Sequence, residues 1–239
     1  MSKSRVAAVV FDLDGVLVDT EPVWNAAKHD VVARASGCWR ESASMDMLGM
    51  SGPEWSEYMR DELAVPLSAR EIGRLVVEGV LGRLGGELPL MPDMRRAIKD
   101  VAARWPIGLA SSADRAVIDA VLEAAEVSSL FAATVSSAEA GRGKPAPDVY
   151  LEAVRRLAVP ADAAVAIEDS GNGMRSAVAA GMTLIAIPNA STPVEPDALA
   201  RADLVLGGLG ELSPKTIERA AHARRRRISP ARTRASTAD

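Results

Sequence analysis

Short apolar runs rich in β-branched residues alternate with longer stretches of helical periodicity along most of this chain. Val6 to Phe11 is the first such run. It is too short for a helix and shows no polar alternation, which predicts a strand buried on both faces. Similar runs at 107–110, around 132–135, and at 163–167, 183–187 and 204–206 predict five more strands. Helices are predicted between them, near 93–104, 114–125, from the loop at 141–145 to about 157, and over 171–180 with Gly181 just past the end. Repeated strand–helix units predict an α/β fold, a doubly wound parallel sheet with helices on both faces.

The interval after the first strand follows another rhythm. Thr20-Glu21-Pro22 reads as a helix start, and Val23, Ala27, Val31 and Ala35 keep helical spacing up to Gly37. Ser51-Gly52-Pro53-Glu54 offers a second start and Ser68-Ala69-Arg70-Glu71 a capping box, with Ile72, Leu75, Val76 and Val80 on one face beyond it. Residues 18–88 are therefore expected to form a helical cap domain inserted after strand one, into a core domain of 1–17 and 89–212. Residues 213–239 carry Arg224 to Arg227, Arg232 and Arg234 among Ser, Thr, Ala and Pro, and are expected to be a disordered basic tail with no selected role.

At 239 residues, 48% hydrophobic and 25% charged, the chain can bury a sizeable core. Its net charge of −4 gives the body no bias toward nucleic acid, so only the tail offers basic character. No run reaches membrane-spanning length. The basic start at Met1 to Arg5 imitates a secretory leader, but the apolar run behind it is broken after six residues by Asp12. One cysteine, Cys38, excludes an intrachain disulfide and suits a reducing compartment. A cytoplasmic protein is expected, a monomer by default, with a small molecule as partner.

The chemistry gathers at strand ends. The first strand ends in Asp12-Leu13-Asp14-Gly15, and a carboxylate is costly to bury without a partner. Taken alone, Asp12 and Asp14 could be a turn-forming pair, or a nucleophile with an acid/base two residues along and projecting to the same side. Ser111 and Ser112 end the second strand, Lys144 lies in a loop before a helix, and Glu168 and Asp169 end the fourth strand. All four clusters fall at the edge of a parallel sheet that carries ligands. Three carboxylates around one point suggest a hard divalent cation, with Mg²⁺ the usual one. Such a set suits phosphoryl transfer: a carboxylate nucleophile forms an aspartyl phosphate, a second carboxyl moves the proton, and Lys144 and Ser111 bind equatorial oxygens.

The motifs Asp12-Leu13-Asp14-Gly15-Val16-Leu17-Val18-Asp19-Thr20-Glu21, Leu109-Ala110-Ser111-Ser112, Gly143-Lys144-Pro145-Ala146-Pro147-Asp148 and Glu168-Asp169-Ser170-Gly171-Asn172-Gly173 resemble, in order and spacing, those of the haloacid dehalogenase-like superfamily. The branch they resemble carries a helical cap after strand one and includes sugar-phosphate phosphatases and β-phosphoglucomutase-like proteins. The resemblance implies Asp12 as nucleophile and Asp14 as general acid/base. It also implies Mg²⁺ held by Asp12, the backbone carbonyl of Asp14 and Asp169, with Glu168 close by, and a phosphoryl group bound by Ser111, Ser112 and Lys144. Two departures from the mutases favour a phosphatase for a small phosphorylated metabolite, with a sugar phosphate expected. Leu48-Gly49-Met50-Ser51 is followed by Gly52 where those mutases have Arg, and Trp24 stands where they carry His. Glu21 and Trp24 resemble the cap entry of hexose-phosphate phosphatases and are the candidate cap residues for substrate. A phosphosugar mutase is the alternative. A receiver-type signalling domain is more remote, because it has neither a cap after its first strand nor an acid at the position of Asp14.

Overall fold

The computed structural model describes residues 6–47, 50–84, 88–189 and 193–228. The basic start, Leu48 and Gly49 of the cap loop, and the chain beyond 228 with Arg232 and Arg234 lie outside them. Six parallel strands form one sheet: β1 (Ala8–Phe11), β2 (Ile107–Ser111), β3 (Phe131–Ser136), β4 (Ala164–Glu168), β5 (Thr183–Ala186) and β6 (Leu204–Val205). Their order is β3-β2-β1-β4-β5-β6, so the chain winds outward from β1 in both directions. The central strands are fully covered because they lie between two apolar layers. Val9, Phe11, Ile107, Leu109, Val165 and Ile167 feed one, while Val10, Ala110, Ala164, Ala166 and Leu184 feed the other. This alternation is the period of two that an extended chain imposes.

Four helices, α1 (Glu21–Arg34), α2 (Ala43–Asp46), α3 (Gly52–Asp61) and α4 (Ala69–Leu84), follow β1 as an inserted unit. An antiparallel bridge between Val18 and Leu90 brings the outgoing and returning chain together at its base. At the start of α3 the Glu54 carboxylate accepts from the Ser51 N–H at 2.7 Å and from its hydroxyl at 2.6 Å. The helical unit shares one apolar layer with the sheet, running from Phe11 and Leu109 to Met59, Ile72 and Val76.

The remaining helices are α5 (Met94–Ala102), α6 (Arg115–Ala124), α7 (Ser137–Ala140), α8 (Asp148–Arg156), α9 (Gly171–Ala179), α10 (Pro196–Leu199) and α11 (Pro214–Ile228). The last corrects the expectation of a disordered tail from 213. Ile217, Ala220 and Ala221 form a buried stripe at i, i+3 and i+4, and α11 packs against β5 and β6. Arg224 donates to the Gly181 carbonyl at 2.8 Å and faces Asp203 at 3.5 Å, so part of the arginine run anchors the helix. Among the described residues no helix is long and apolar enough to cross a membrane.

Candidate active site

Register brings the polar strand ends together. Phe11 pairs with Leu109 on one side and Ile167 on the other, so Asp12 emerges between the ends of β2 and β4. Its N–H still donates to the Ile167 carbonyl at 3.0 Å. The chain then makes a tight loop, with the Gly15 N–H on the Val18 carbonyl at 2.7 Å. Gly15 has φ +80°, and a Cβ there would fall 1.9 Å from Asp169 Oδ2. Only glycine permits both that backbone and that approach.

Lys144 reaches in from the loop before α8. Its Nζ donates to Asp12 Oδ1 and to Glu168 Oε1, each at 2.6 Å, and lies 5.1 Å from the centre of the Tyr150 ring. Glu168 is fully buried and fully engaged. Oε1 also accepts from the Tyr150 hydroxyl at 3.0 Å, and Oε2 accepts from the Asp169 N–H, the Ser170 N–H and the Ser170 hydroxyl. Gly173 makes room for it, because a Cβ there would fall 1.7 Å from Glu168 Oε1. Asp169 is different: its Oδ1 is buried with no partner among the described residues.

The electrostatics follow from burial. Desolvation pushes the Asp12 carboxyl from 3.8 up to about 8, against the pull of Lys144 and with a further push from Glu168 and Asp14. Burial, reinforced by Glu168 and Asp12, raises Asp169 well above the ordinary carboxylate value. Burial also raises Asp14, opposed by the Thr20 hydroxyl, the Lys144 ammonium and the Trp24 indole. For Lys144 burial works downward, but Asp12 and Glu168 outweigh it and hold the ammonium above the ordinary lysine range. Asp12 and Asp169, both lifted by burial and by their acidic neighbours, mark a place for positive charge. Oxygens of Asp12, Glu168 and Asp169 lie within 4.8 Å of one another, and Asp169 Oδ1 has no hydrogen bond to compete with a cation. An all-oxygen set of this kind fits a hard divalent cation such as Mg²⁺.

Asp14 is not in that cluster; its carboxylate accepts from the buried Thr20 hydroxyl. Thr20 therefore holds Asp14 with the side chain that its position suggested for capping α1, and it makes no side-chain cap bond. Ser111 is buried, and its Oγ accepts from the Ala113 N–H at 3.0 Å, which leaves its proton to donate. Ser112, by contrast, borders the cleft directly.

That cleft, about 990 Å³, runs from Asp12 and Lys144 up to the helical unit, where Glu21, Trp24 and Lys28 line it from α1. The Trp24 ring packs on that of Trp55 with centroids 6.2 Å apart. Tyr150, Thr20, Ser170 and Lys28 join the predicted residues here. Thr20 and Ser170 stood inside the quoted motifs, Lys28 had a visible signal at i+7 from Glu21 and i+4 from Trp24 on one face of a helix, and Tyr150 had none.

A family model for haloacid dehalogenase-like hydrolases matches residues 6–181. The chain is 32% identical over 219 residues to hexitol phosphatase B of Escherichia coli K12, covering 89% of this chain and 97% of that one. It is 33% identical over 234 residues to the plasmid-encoded protein CbbY of Cupriavidus necator, covering 90% and 91%. The crystal structure of CbbY from Rhodobacter sphaeroides in complex with phosphate superposes with a TM-score of 0.82 at 28% identity, covering 89% of this chain and 99% of that one.

Proposed function

Because this chain belongs to the haloacid dehalogenase-like hydrolases, in the branch with a helical cap, we propose that it is a Mg²⁺-dependent phosphatase acting on a small phosphorylated metabolite through an aspartyl phosphate on Asp12. A sugar phosphate is the substrate class, supported by the likeness to a hexitol phosphatase. One observation carries the reading: Asp12, at the end of the central strand, shares the Lys144 ammonium with Glu168 and lies against the open carboxylate of Asp169. In this reading residues 18–88 are the cap over a core of 1–17 and 89–212, which α11 extends by packing on β5 and β6.

An Asp12 oxygen attacks phosphorus while the ester P–O bond breaks, and Asp14 gives its proton to the departing alkoxide. The burial that lifts the Asp14 carboxyl above its ordinary range keeps that proton available. Water then attacks the acyl phosphate, Asp14 takes the water proton, and phosphate leaves with Asp12 regenerated. Lys144 spends two N–H groups on Asp12 and Glu168 and has a third for a phosphoryl oxygen. Ser111 and Ser112 supply donors from the neighbouring strand end. Asp12, Asp169 and the backbone carbonyl of Asp14 would hold Mg²⁺, while Glu168, with both oxygens engaged, would contribute through water. Bound there, the cation shields the approaching negative charges from one another and polarises a phosphoryl oxygen.

Water as final acceptor is favoured over a second phosphoryl transfer by Trp24 and Gly52. Gly52 borders the cleft and has no side chain to reach into it from the position where the mutases have Arg. Trp24 stands beside Asp14, where a mutase carries His. The test is phosphate release from a panel of sugar and small organic phosphates, with Mg²⁺ and with EDTA, for wild type and Asp12→Asn. The panel includes β-glucose 1-phosphate, with glucose 6-phosphate assayed as product. The expected result is Mg²⁺-dependent release that Asp12→Asn abolishes. Conversion to glucose 6-phosphate with little free phosphate would overturn it in favour of a mutase.

A further inference from the structure

Lys28 has no place in the chemistry above, and its environment is unusual for a lysine. The residue is 5% exposed, and its Nζ lies 5.5 Å from the centroid of the Trp55 ring, on the cap side of the cleft. Among the described residues no carboxylate comes within 4.0 Å of that nitrogen. Its strongest electrostatic neighbour is Glu21, yet the Glu21 carboxylate accepts instead from the Asn25 amide at 3.1 Å. Burial accordingly pulls the Lys28 ammonium below the ordinary lysine range, with Glu21 and Asp14 only partly opposing it.

A cation–π contact returns part of the desolvation cost of a buried ammonium, but an uncompensated charge remains expensive. Methionine would fill the same space against Trp55 at no such cost. Lysine at this position is explained by an anion that arrives in the cleft. The transferred phosphoryl group cannot be that anion, because it belongs beside Asp12 and Lys144 on the core side. What reaches the cap is the other end of the substrate. Arg70 and Arg74 of α4 line the same cleft, so its wall carries further cations, Arg74 being paired with Glu78 at 2.6 Å.

We propose that Lys28 is a specificity residue that receives a second oxyanion, carboxylate or phosphate, at the non-reacting end of the substrate. The preferred substrates are then phosphorylated sugars or sugar acids with two anionic groups, not neutral sugar or polyol monophosphates. A hydroxyl would accept one hydrogen bond from Lys28 but leave its charge uncompensated, whereas an oxyanion supplies both. The proposal rests on the phosphatase reading above.

The experiment compares kcat/KM within matched pairs at saturating Mg²⁺. Sorbitol 6-phosphate and 6-phosphogluconate differ only in a far-end hydroxymethyl or carboxylate, and fructose 6-phosphate and fructose 1,6-bisphosphate differ by a far-end phosphate. Wild type is expected to favour the doubly anionic member of at least one pair by tenfold or more, and the pair that responds identifies the anion. Lys28→Met is expected to reduce that preference to within about threefold of unity, mainly through KM, while Lys28→Arg retains it. Equal turnover of both members by wild type, or a preference that survives in Lys28→Met, would overturn the proposal. p-Nitrophenyl phosphate separates the two levels. If wild type with Mg²⁺ releases phosphate from it but shows no pair preference, only the role of Lys28 fails. If it releases phosphate from nothing, the phosphatase reading fails and this one with it.

Discussion

Replacing Asp12 by asparagine should abolish turnover and, in the metal-free protein, stabilise the fold. The reason is the burial that lifts the Asp12 carboxyl from 3.8 to about 8. A carboxyl whose folded value lies above its unfolded value holds its proton more tightly in the native state. Its contribution to stability is therefore complete below about pH 4 and is lost as the pH rises toward 8. At pH 7 roughly three decades of that range have been crossed, and at 1.36 kcal/mol per decade the upper limit of the loss is about 4 kcal/mol. The amide of the Asp12→Asn variant has no proton to lose, while Lys144 keeps its contact with Glu168 at 2.6 Å. Urea denaturation in EDTA should then show Asp12→Asn more stable than wild type by about 1–4 kcal/mol at pH 7, with the gain vanishing near pH 4. Excess Mg²⁺ should narrow the gap by stabilising wild type through linkage. A variant less stable than wild type at pH 7 in EDTA would refute the reasoning, because Asp12 would then be held by its contacts and not strained by its burial.

Glu168→Gln should act in the opposite direction. However the amide is turned, its NH₂ faces donors, either Lys144 and Tyr150 or the Asp169 and Ser170 groups, and breaking a buried pair costs ~3–5 kcal/mol; denaturation within 1 kcal/mol of wild type would contradict this. Gly15→Ala combines a backbone at φ +80° with a Cβ 1.9 Å from Asp169 Oδ2, so the Mg²⁺ concentration for half-maximal activity should rise at least tenfold; an unchanged Mg²⁺ dependence would show that Asp169 takes no part. Truncation after Ser213 removes Ile217, Ala220 and Ala221 from the apolar layer and should cost at least ~2 kcal/mol, lowering Tm by roughly 5 °C or more; an unchanged Tm would return α11 to the status of a tail.

The sheet and the convergence of the candidate residues at its edge were readable because both rest on local signals that repeat. Each strand is a short apolar run, and each site residue follows directly on one of them or, like Lys144, sits in the glycine- and proline-marked loop before a helix. What escaped depends on distant contacts. The Arg224–Arg227 run suggested disorder by composition, yet Ile217, Ala220 and Ala221 already had helical spacing, and Asp203 and the Gly181 carbonyl gave Arg224 its partners. Thr20 carried a correct helix-start signal, but its hydroxyl is drawn to Asp14, six residues earlier. That Glu168 is saturated while Asp169 keeps an open oxygen is decided by Tyr150 and Ser170, and nothing in the Glu-Asp pair distinguishes the two. Lys28 is buried with its ammonium over Trp55, which lies on a separate helix of the cap.

The central claim is that Asp12 carries the phosphoryl group. Wild-type protein mixed with Mg²⁺ and an excess of a substrate from the panel should be quenched in acid during turnover, reduced with borohydride and mapped by mass spectrometry. An aspartyl phosphate is converted to homoserine, so homoserine at position 12, absent in EDTA, is the expected result. Phosphate release with position 12 remaining unmodified aspartate, or with the label at another carboxylate, would contradict the account.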